Sequence, residues 1–265
     1  MDRRLALVTG ASAGIGAAFA RILASHGYDV ALTARRTDRL EALADEIQLR
    51  YGVETLTVSA DLAEPEAPGQ ILDHLIAHGR TVDCLINNAG YGLPGGFADT
   101  RWEDQRAFIQ VMMTAPSELA HRVVPGMVDR RFGRIVNVAS LAGLIPPGAG
   151  HTLYAASKAY LAKFSQSLHL ELAGEGVHVT ALCPGLTWSE FHDANGTRAQ
   201  MSATPDWLWL GADEVAATGY EAVEANRPLC IPGAPNKAAA ALAKLIPDDW
   251  GLALVASQGA RFRRT

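Results

Sequence analysis

The sequence is poor in cysteine. Its 265 residues include three cysteines, Cys84, Cys183 and Cys230, which are odd in number and far apart in the chain. A disulfide framework needs paired cysteines, so this pattern favours reduced, buried thiols, as in proteins of reducing compartments. We therefore expect a cytoplasmic protein that does not depend on disulfides for its stability.

The sequence also has no excess of positive charge. It carries 23 Lys and Arg against 28 Asp and Glu, a formal net charge of −5. A protein that binds nucleic acid usually presents a basic surface to the phosphates, so we expect no nucleic-acid partner. His, Cys and carboxylate residues do not cluster at the spacing of metal ligands, so no metal site is expected.

Long hydrophobic runs are missing too. A charge-free stretch from Leu5 to Ala20 follows Arg3 and Arg4 and resembles a signal peptide at first sight. It contains three glycines, however, and it is short for a helix that crosses a bilayer. No other stretch is long enough to cross one, so we expect no membrane partner.

The chain does contain enough apolar material for a large core. Hydrophobic residues make up 49% and charged residues 19% of the sequence, which argues against disorder. The length suits one large domain or two small ones. Because no linker or internal repeat divides the chain, we predict a single domain over residues 1–265.

Short apolar runs alternate with segments of helical periodicity, which predicts an α/β fold with a parallel sheet flanked by helices. In such sheets ligands bind at the carboxyl edge of the strands. In one helix we expect Ile71, Leu72, Leu75 and Ile76 to face inward. The predicted strands are Leu5–Val8, Asp29–Ala34, Val53–Ala60, Asp83–Ile86, Arg134–Ser140, Val177–Cys183 and Pro228–Ile231; the predicted helices are Gly16–His26, Thr37–Tyr51, Glu64–His78, Leu153–Ala173, Asp213–Asn226 and Asn236–Ile246.

A glycine-rich loop joins the first strand to the first helix. Gly10, Gly14 and Gly16 would let the backbone approach a pyrophosphate, and the helix N-terminus would offer free N–H groups. The alternative is a tight turn that only packs the helix on the strand. The same loop spells Gly-x-Ser-x-Gly around Ser12, the nucleophile elbow of serine hydrolases. That elbow normally follows earlier strands, which the chain does not have here.

Two arginines follow the second strand. An NAD-binding fold places an acidic residue there to bind the ribose 2′-hydroxyl, whereas this chain has Ala34 followed by Arg35 and Arg36. A guanidinium binds a 2′-phosphate well, so the residues favour NADP(H), with Arg35 as the main contact. Alternatively, the arginines only begin the next helix.

A hydroxyl and a Tyr/Lys pair lie on either side of a Pro/Gly loop. Ser140 ends a β-branched strand, and Tyr154 and Lys158 are spaced to share one face of the next helix. The loop between them, Leu141 to Leu153, is too rich in Gly and Pro for a helix or strand to cross it. A phenol beside an ammonium and a serine can transfer protons.

These motifs together resemble the short-chain dehydrogenase/reductase family. They are Thr9-Gly10-x-x-x-Gly14-Ile15-Gly16, Asp61-Leu62, Asn87-Asn88-Ala89-Gly90, Ser140, Tyr154-x-x-x-Lys158 and Pro184-Gly185-x-Thr187, in the family's order across most of the chain. The resemblance implies a single domain with a doubly wound parallel sheet of the Rossmann type. It also implies hydride transfer between a nicotinamide cofactor and a small-molecule carbonyl or alcohol. It also implies that Tyr154 is the general acid/base, that Lys158 lowers its pKa and holds the ribose, and that Ser140 binds the substrate oxygen.

The resemblance further implies a set of residues along the cofactor. Asp61 and Leu62 would flank the adenine, Asn88 and Gly90 the groove, and Pro184 to Thr187 the nicotinamide. The full set is Gly10, Ser12, Ala13, Gly14, Ile15, Gly16, Arg35, Arg36, Asp61, Leu62, Asn88, Ala89, Gly90, Tyr154, Lys158, Pro184, Gly185 and Thr187.

The chain departs from the family pattern at Met112, where the family usually has a catalytic asparagine. In the family the backbone carbonyl of that residue helps to hold a water that leads protons to the lysine, and Met112 still has a carbonyl. Activity would then survive. Alternatively, the proton relay is broken and the protein binds NADPH as a sensor or partner with little turnover.

The segment from about 186 to 212 corresponds to the family's substrate lid. Its aromatic residues, including Trp188 and Phe191, suggest a bulky apolar substrate, which would also contact Ser140, Leu144 and Tyr154. The alternative is that the aromatics pack on the C-terminal segment or on a partner subunit. By analogy with the family we expect a homodimer or homotetramer formed through the helices around residues 104–130 and 153–173.

Overall fold

The computed structural model describes residues 3–93, 95–150, 152–190 and 205–262. In these residues strands and helices alternate along most of the chain. The strands are β1 Leu5–Thr9, β2 Asp29–Ala34, β3 Thr55–Ser59, β4 Val82–Asn87, β5 Gly133–Val138, β6 Val177–Leu182, β7 Thr187–Trp188, β8 Leu210–Gly211 and β9 Leu229–Cys230. The helices are α1 Gly14–Ser25, α2 Thr37–Tyr51, α3 Ala67–Ala77, α4 Trp102–Ile109, α5 Ala115–Asp129, α6 Thr152–Glu171, α7 Ala212–Glu224, α8 Ala234–Ala243 and α9 Asp248–Phe262.

Seven of the strands form one parallel sheet in the order β3-β2-β1-β4-β5-β6-β9. The predicted Rossmann-type fold is therefore confirmed. The chain winds outward from β1 in both directions, so β1 and β4 adjoin the point where the strand order reverses. In open α/β sheets a crevice forms at that point, outside the carboxyl ends of the strands.

Each face of the sheet has its own hydrophobic core, because successive strand residues point to opposite faces. In β1, Ala6 and Val8 pack with α1, α2 and α7. Leu5 and Leu7 face the other way, towards α3 and α5. All four are buried, which explains why β1 reads as a continuous apolar run rather than an alternating one.

The predicted element bounds are right in places and wrong in others. β2 and α2 have the predicted limits. β5 ends at Val138 instead of Ser140, because Ser140 caps a short 3₁₀ turn, Leu141–Gly143, which the glycine-rich loop was predicted to exclude. The side chain of Ile76 is 64% exposed, so its predicted inward orientation is wrong. It follows the buried Leu75 and is therefore rotated about 100° away from it on α3.

Two elements were not predicted. The long helix expected around residues 104–130 is interrupted by a π-helical turn, Gln110–Thr114, between α4 and α5. The C-terminal α9 was not recognised because its apolar residues follow no clear stripe: Trp250 is 73% exposed whereas Gly251 packs on Pro146. Within the described ranges, no helix is both long and apolar enough to span a membrane.

Candidate functional site

The end of β1 is tied to the end of β4 by one threonine. Thr9 Oγ1 donates to the carbonyl of Ile86 at 3.2 Å and accepts the backbone N–H groups of Asn88 at 2.9 Å and Ala89 at 3.0 Å. The Asn88 side chain donates back to the carbonyls of Thr9 at 2.9 Å and Gly10 at 3.2 Å. These bonds hold the chain after β4 against the glycine loop and so form one wall of the crevice.

The glycine loop has a shape that other residues could not adopt. Gly10 and Gly14 have φ of 65° and 54°, in the left-handed region that favours glycine. A Cβ at position 16 would lie 2.4 Å from the carbonyl oxygen of Gly10. The loop is therefore a close-packed turn, and its glycines bring the backbone of β1 directly against α1.

No side chain caps the N-terminus of α1. Its N-cap residue Ala13 has extended backbone and no side chain that caps the helix, and the first turn contains no acidic residue. The first N–H groups of a helix, here those of Gly14, Ile15 and Gly16, have no partner within it, and they carry the positive end of its dipole. The turn and the helix end therefore fit a pyrophosphate group.

The arginines after β2 lie at the outer end of this loop. Arg36 donates to Ser12 Oγ through Nη2 at 2.9 Å and through Nε at 3.2 Å. The Arg35 side chain is 76% exposed and only approaches Asp61, at 3.8 Å. The structure thus brings Arg36, rather than Arg35, to the glycine loop, and both guanidinium groups fit the phosphate of an NADP(H) ribose.

The predicted adenine residues follow β3. Asp61 Oδ1 accepts the backbone N–H of Ala63 at 3.0 Å, which leaves its other oxygen towards Arg35. The Leu62 side chain is buried, with 7% exposed, and packs in the core. Only the backbone of Leu62 is therefore available to a ligand, whereas Asp61 can offer its carboxylate.

Met112 fills the space beneath the crevice wall. Its side chain is 1% exposed, and a Cβ on Gly90 would lie 2.9 Å from its Sδ. The methionine sits in the π-helical turn, a feature that is frequent at functional sites because it disturbs the regular hydrogen-bond ladder. Met112 thus contributes an apolar side chain where the resemblance implies an amide.

A close contact between the 3₁₀ turn and α6 positions Ser140. A Cβ at Gly143 would lie 2.5 Å from the backbone of Lys158 and Ala159, so glycine allows the turn to press directly on the helix. Ser140 Oγ accepts the N–H of Ala142 at 3.1 Å. The hydroxyl of Ser140 can therefore still donate its own proton to a second partner.

Ser140, Tyr154 and Lys158 are brought together as predicted from their spacing. The Tyr154 hydroxyl is hydrogen-bonded to the Ser140 side chain. Lys158 Nζ lies 5.7 Å from the centre of the Tyr154 ring and donates to the carbonyl of Val138 at 2.7 Å. All three groups therefore meet at the carboxyl end of β5, beside the crevice.

The electrostatics of this group differ from the expectation in one respect. Removal from water raises the pKa of Tyr154, and the hydrogen bond from Ser140 opposes that effect only in part. Burial lowers the pKa of Lys158 to about 8. The expected lowering of the Tyr154 pKa by Lys158 is thus not found in the chain by itself, where desolvation of the phenol outweighs the hydrogen bond from Ser140. Tyr154 therefore keeps its phenol proton at neutral pH.

The segment after β6 lies next to the 3₁₀ turn that follows Ser140. Leu141 N–H donates to the carbonyl of Pro184 at 2.8 Å, and Thr187 Oγ1 donates to the carbonyl of Gly185 at 3.1 Å. A Cβ at Gly185 would lie 2.4 Å from the Asn236 side chain, so this turn also depends on glycine. The segment with Pro184, Gly185 and Thr187 therefore lies at the same carboxyl edge of the sheet as Ser140.

The predicted substrate residues are only partly described. Trp188 is 47% exposed and stacks on Trp209, with ring centres 4.3 Å apart. Leu144 is partly buried and packs on the core under the 3₁₀ turn. Phe191 lies outside the described residues. Two aromatic residues of this segment thus pack on each other, an arrangement that neither alternative predicted.

Sequence reasoning missed an ionic cluster at the outer end of the site. Glu190 Oε2 accepts a hydrogen bond from Arg36 Nη1 at 2.8 Å, and Glu190 Oε1 accepts one from Arg39 Nη1 at 2.5 Å. Arg36 and Arg39 stand three residues apart at the start of α2, a spacing that could have indicated a pair. Glu190 gave no such signal, since it is far from both in the sequence.

The hydrolase alternative gains no support from the geometry. The Ser12 hydroxyl accepts both of its described hydrogen bonds from the guanidinium of Arg36. An arginine stays protonated in proteins and cannot act as the base that a serine nucleophile needs.

Comparison with protein families and curated sequences gives a consistent result. A family model described as short chain dehydrogenase matches residues 4–199. An uncharacterized oxidoreductase of Myxococcus xanthus is 39% identical over 195 residues, which are 74% of this chain and 76% of that protein. An NADP-dependent 3-hydroxy acid dehydrogenase of Salmonella typhi is 36% identical over 228 residues, 84% of each chain.

Solved structures of similar proteins share the fold over almost the whole chain. A short-chain dehydrogenase from Sphingobium yanoikuyae in complex with NADPH has a TM-score of 0.80 at 30% identity, covering 99% of this chain and 96% of that one. A bulky-bulky ketone specific alcohol dehydrogenase from Comamonas testosteroni has a TM-score of 0.76 at 26% identity, covering 100% of this chain and 96% of that one.

Proposed function

This chain belongs to the short-chain dehydrogenase/reductase family, whose members are oxidoreductases of hydroxyl and carbonyl groups, and from that premise we propose that it reduces bulky, apolar ketones with NADPH. The cofactor is NADP(H). The observation that carries the proposal is the meeting of Ser140, Tyr154 and Lys158 at the same sheet edge as the glycine turn and the uncapped end of α1.

Tyr154 is the residue that supplies the proton. NADPH, when bound, supplies the hydride that reaches the carbonyl carbon. The phenol proton of Tyr154 passes to the carbonyl oxygen, so that the product is a secondary alcohol and a tyrosinate. The raised pKa of Tyr154 keeps that proton in place at neutral pH, which suits the reductive direction.

Ser140 and Lys158 have supporting roles. Because Ser140 Oγ already accepts the Ala142 N–H, its own proton can be donated to the substrate oxygen as negative charge develops there. Lys158 stabilises the tyrosinate by its charge and can hold the ribose through donors that Val138 does not use.

The substrate class is argued from the segment after β6. Trp188 leaves about half of its surface exposed, next to the turn at Gly185. Together with Leu144 and Phe191 it would offer apolar surface to a bulky ketone. The name of the similar enzyme from Comamonas testosteroni, which specifies a bulky ketone, supports the same class.

The location and assembly of the protein are part of this proposal. Cys84, Cys183 and Cys230 are free and buried, which suits a reducing cytoplasm. An open groove of about 500 Å³ runs between α4–α5 and α6, with Met113 and Tyr160 in its lining. We place the contact between subunits of a homodimer or homotetramer there.

One observation favours a second candidate, a cofactor-binding protein with little turnover. Met112 is buried where the resemblance implies an asparagine, so the proton relay that would lead to Lys158 lacks one polar side chain. Such a protein would bind NADPH tightly and respond to it without consuming it.

A kinetic experiment separates the two candidates. The absorbance of reduced nicotinamide is followed with NADPH and a panel of bulky ketones, in wild type and in Tyr154→Phe. Turnover by wild type alone supports the reductase, whereas tight NADPH binding without turnover supports the second candidate. Equal use of NADH and NADPH by wild type and by Arg35→Ala would contradict the choice of cofactor.

A further inference from the structure

We propose that Glu190 is a specificity-determining residue for the cofactor, because it competes with the 2′-phosphate for the guanidinium groups of Arg36 and Arg39. The inference rests on the proposed use of NADP(H) and adds a residue to that site. It predicts that the phosphate binds only by displacing Glu190, and that displacement frees the segment that carries it.

Glu190 occupies two of the donors that a phosphate in this place would use. Arg36 turns Nε and Nη2 to Ser12 Oγ and its remaining Nη1 to Glu190 Oε2, at 2.8 Å. Arg39 contributes Nη1 to Glu190 Oε1, at 2.5 Å. The carboxylate therefore bridges two guanidinium groups, and one of them, that of Arg36, also contacts Ser12 of the glycine loop.

The charges make the competition unavoidable. A phosphate monoester carries about −1.5 to −2 charges and three acceptor oxygens, and it binds guanidinium groups in the same geometry as a carboxylate. Hydrogen bonds from Arg39, and then from Arg36, hold the pKa of Glu190 below its usual range, so this carboxylate is ionised at neutral pH. Two anions cannot share these donors without repulsion.

The cluster is accessible from solvent. The side chains of Arg36, Arg39 and Glu190 are 43%, 45% and 46% exposed. Ion pairs with this exposure are weak and are exchanged readily. A phosphate can therefore reach them and replace Glu190, whereas a ribose 2′-hydroxyl lacks the charge to do so.

The backbone links Glu190 to the rest of the site. The preceding Ser189 lies on the glycine loop, where its Cβ would be 2.9 Å from a Cβ at Gly14. One residue earlier, Trp188 stacks on Trp209. The ion pairs of Glu190 thus hold residues 188–190 over the phosphate-binding turn, and their loss would alter the surroundings of Trp188.

The test measures binding of two fragments that carry no nicotinamide. Adenosine 2′,5′-bisphosphate has the 2′-phosphate, and adenosine 5′-diphosphate does not. Titration calorimetry of the full chain gives Kd values for both in wild type and in Glu190→Gln. The matched control is Glu46→Gln, because Glu46 forms an exposed bidentate pair with Arg21 at 2.8 and 2.9 Å, away from the site.

We expect Glu190→Gln to tighten the binding of the 2′,5′-bisphosphate about three- to tenfold. The reason is that the ligand no longer has to break the one or two exposed ion pairs that Glu190 forms with the arginines. Binding of the 5′-diphosphate stays within about twofold, and Glu46→Gln changes neither. Unchanged or weaker binding of the 2′,5′-bisphosphate by Glu190→Gln would overturn the inference.

Tryptophan fluorescence provides a second readout. The 2′,5′-bisphosphate should change the emission of wild type, and Trp188→Phe should remove most of that change. In Glu190→Gln the ligand should cause a smaller change, since the segment is already released. If wild type binds the two fragments equally, both the inference and the use of NADP(H) fail; if it prefers the 2′-phosphate but Glu190→Gln matches wild type, the inference alone fails.

Discussion

The two ends of the crevice hold their charges in opposite ways. At the inner end Lys158 is 5% exposed, and its ammonium is held by one backbone carbonyl at 2.7 Å. At the outer end Arg36 is 43% exposed and shares a carboxylate with a second arginine. The inner end is thus governed by desolvation, and the outer end by competition among solvated ions.

This difference predicts which changes have large effects. A buried charge or proton donor has no substitute from solvent, so its loss removes a step of the reaction. An exposed ion pair is screened by salt and contributes little by itself, so its loss adjusts affinity and selectivity. Substitutions at the inner end should therefore change kcat, and substitutions at the outer end should change the KM for the cofactor.

The largest effect is expected from Tyr154→Phe. Removal of the hydroxyl deletes the proton donor and should lower kcat about 10²- to 10⁴-fold, the usual contribution of general acid catalysis. The binding of NADPH should change little. Steady-state kinetics and calorimetry measure the two quantities separately.

The matched control is Tyr160→Phe, on the same helix. The Tyr160 hydroxyl bonds to Ser117 at 2.8 Å, and Tyr160 is two residues, or about 200° around the helix, from Lys158. This variant should keep kcat within about threefold, because one peripheral hydrogen bond is worth only about 1 kcal/mol. Equal losses in both variants would mean that Tyr154 acts through packing.

The second effect is a gain of stability in Lys158→Met, together with the loss of most activity. A lysine whose pKa falls from 10.5 to about 8 costs the fold roughly 3 kcal/mol while it is charged. The variant also loses the hydrogen bond to Val138, which lowers its stability by about 1 kcal/mol. We therefore expect a net gain of about 1–2 kcal/mol in unfolding free energy at pH 7. Urea unfolding measures it.

The gain should depend on pH in one direction. Below pH 8 the lysine is charged in both the native and the unfolded chain, and the full cost applies. Between about 8 and 10.5 the native chain loses this proton first, so the cost fades as pH rises. The variant's advantage should therefore shrink over that range. An advantage that stayed constant over that range would show that the pKa of Lys158 is not lowered in the native chain.

At the outer end, Arg36→Ala should raise the KM for NADPH roughly tenfold and leave kcat and the KM for NADH nearly unchanged. The reason is that a charge-assisted hydrogen bond to phosphate is worth about 1.5–3 kcal/mol at most and is reduced by exposure. In wild type, higher salt should weaken the binding of NADPH more than the binding of NADH. A large loss of kcat would break the distinction between the two ends.

The smallest effect is expected from Met112→Asn. Activity per folded molecule should stay the same or rise by about threefold at most, because a backbone carbonyl remains at this position. Stability should fall by about 1–3 kcal/mol, since an amide replaces a buried thioether against Gly90. The control Met112→Leu keeps the volume and should change neither quantity much. A sharp loss of activity in both variants would give Met112 a role in packing.

The sequence was sufficient for the features that depend on local pattern. The bounds of β2 and α2 follow from apolar periodicity and the residues at their ends. The spacing of Tyr154 and Lys158 placed them on one helix face, and the strand end placed Ser140 near them. Where a pattern was weak, as in α9, the element was missed.

The features that depend on distant contacts could not be predicted. Glu190 meets Arg36 because the residue before it, Ser189, lies against the glycine loop, and no periodicity in the sequence predicts that contact. The pKa of Tyr154 is set by its removal from water, which depends on the packed structure rather than on the neighbouring lysine. The π-helical turn around Met112 likewise has no compositional signature.

The most direct test of the account follows the hydride itself. NADPH labelled with deuterium on either face of nicotinamide C4 is incubated with the protein and bulky aryl ketones, and the products are analysed by mass spectrometry and NMR. The account predicts a secondary alcohol with deuterium on the carbinol carbon from one of the two labelled cofactors, formed by wild type and not by Tyr154→Phe. Tight binding of NADPH with no labelled alcohol from any ketone would contradict it.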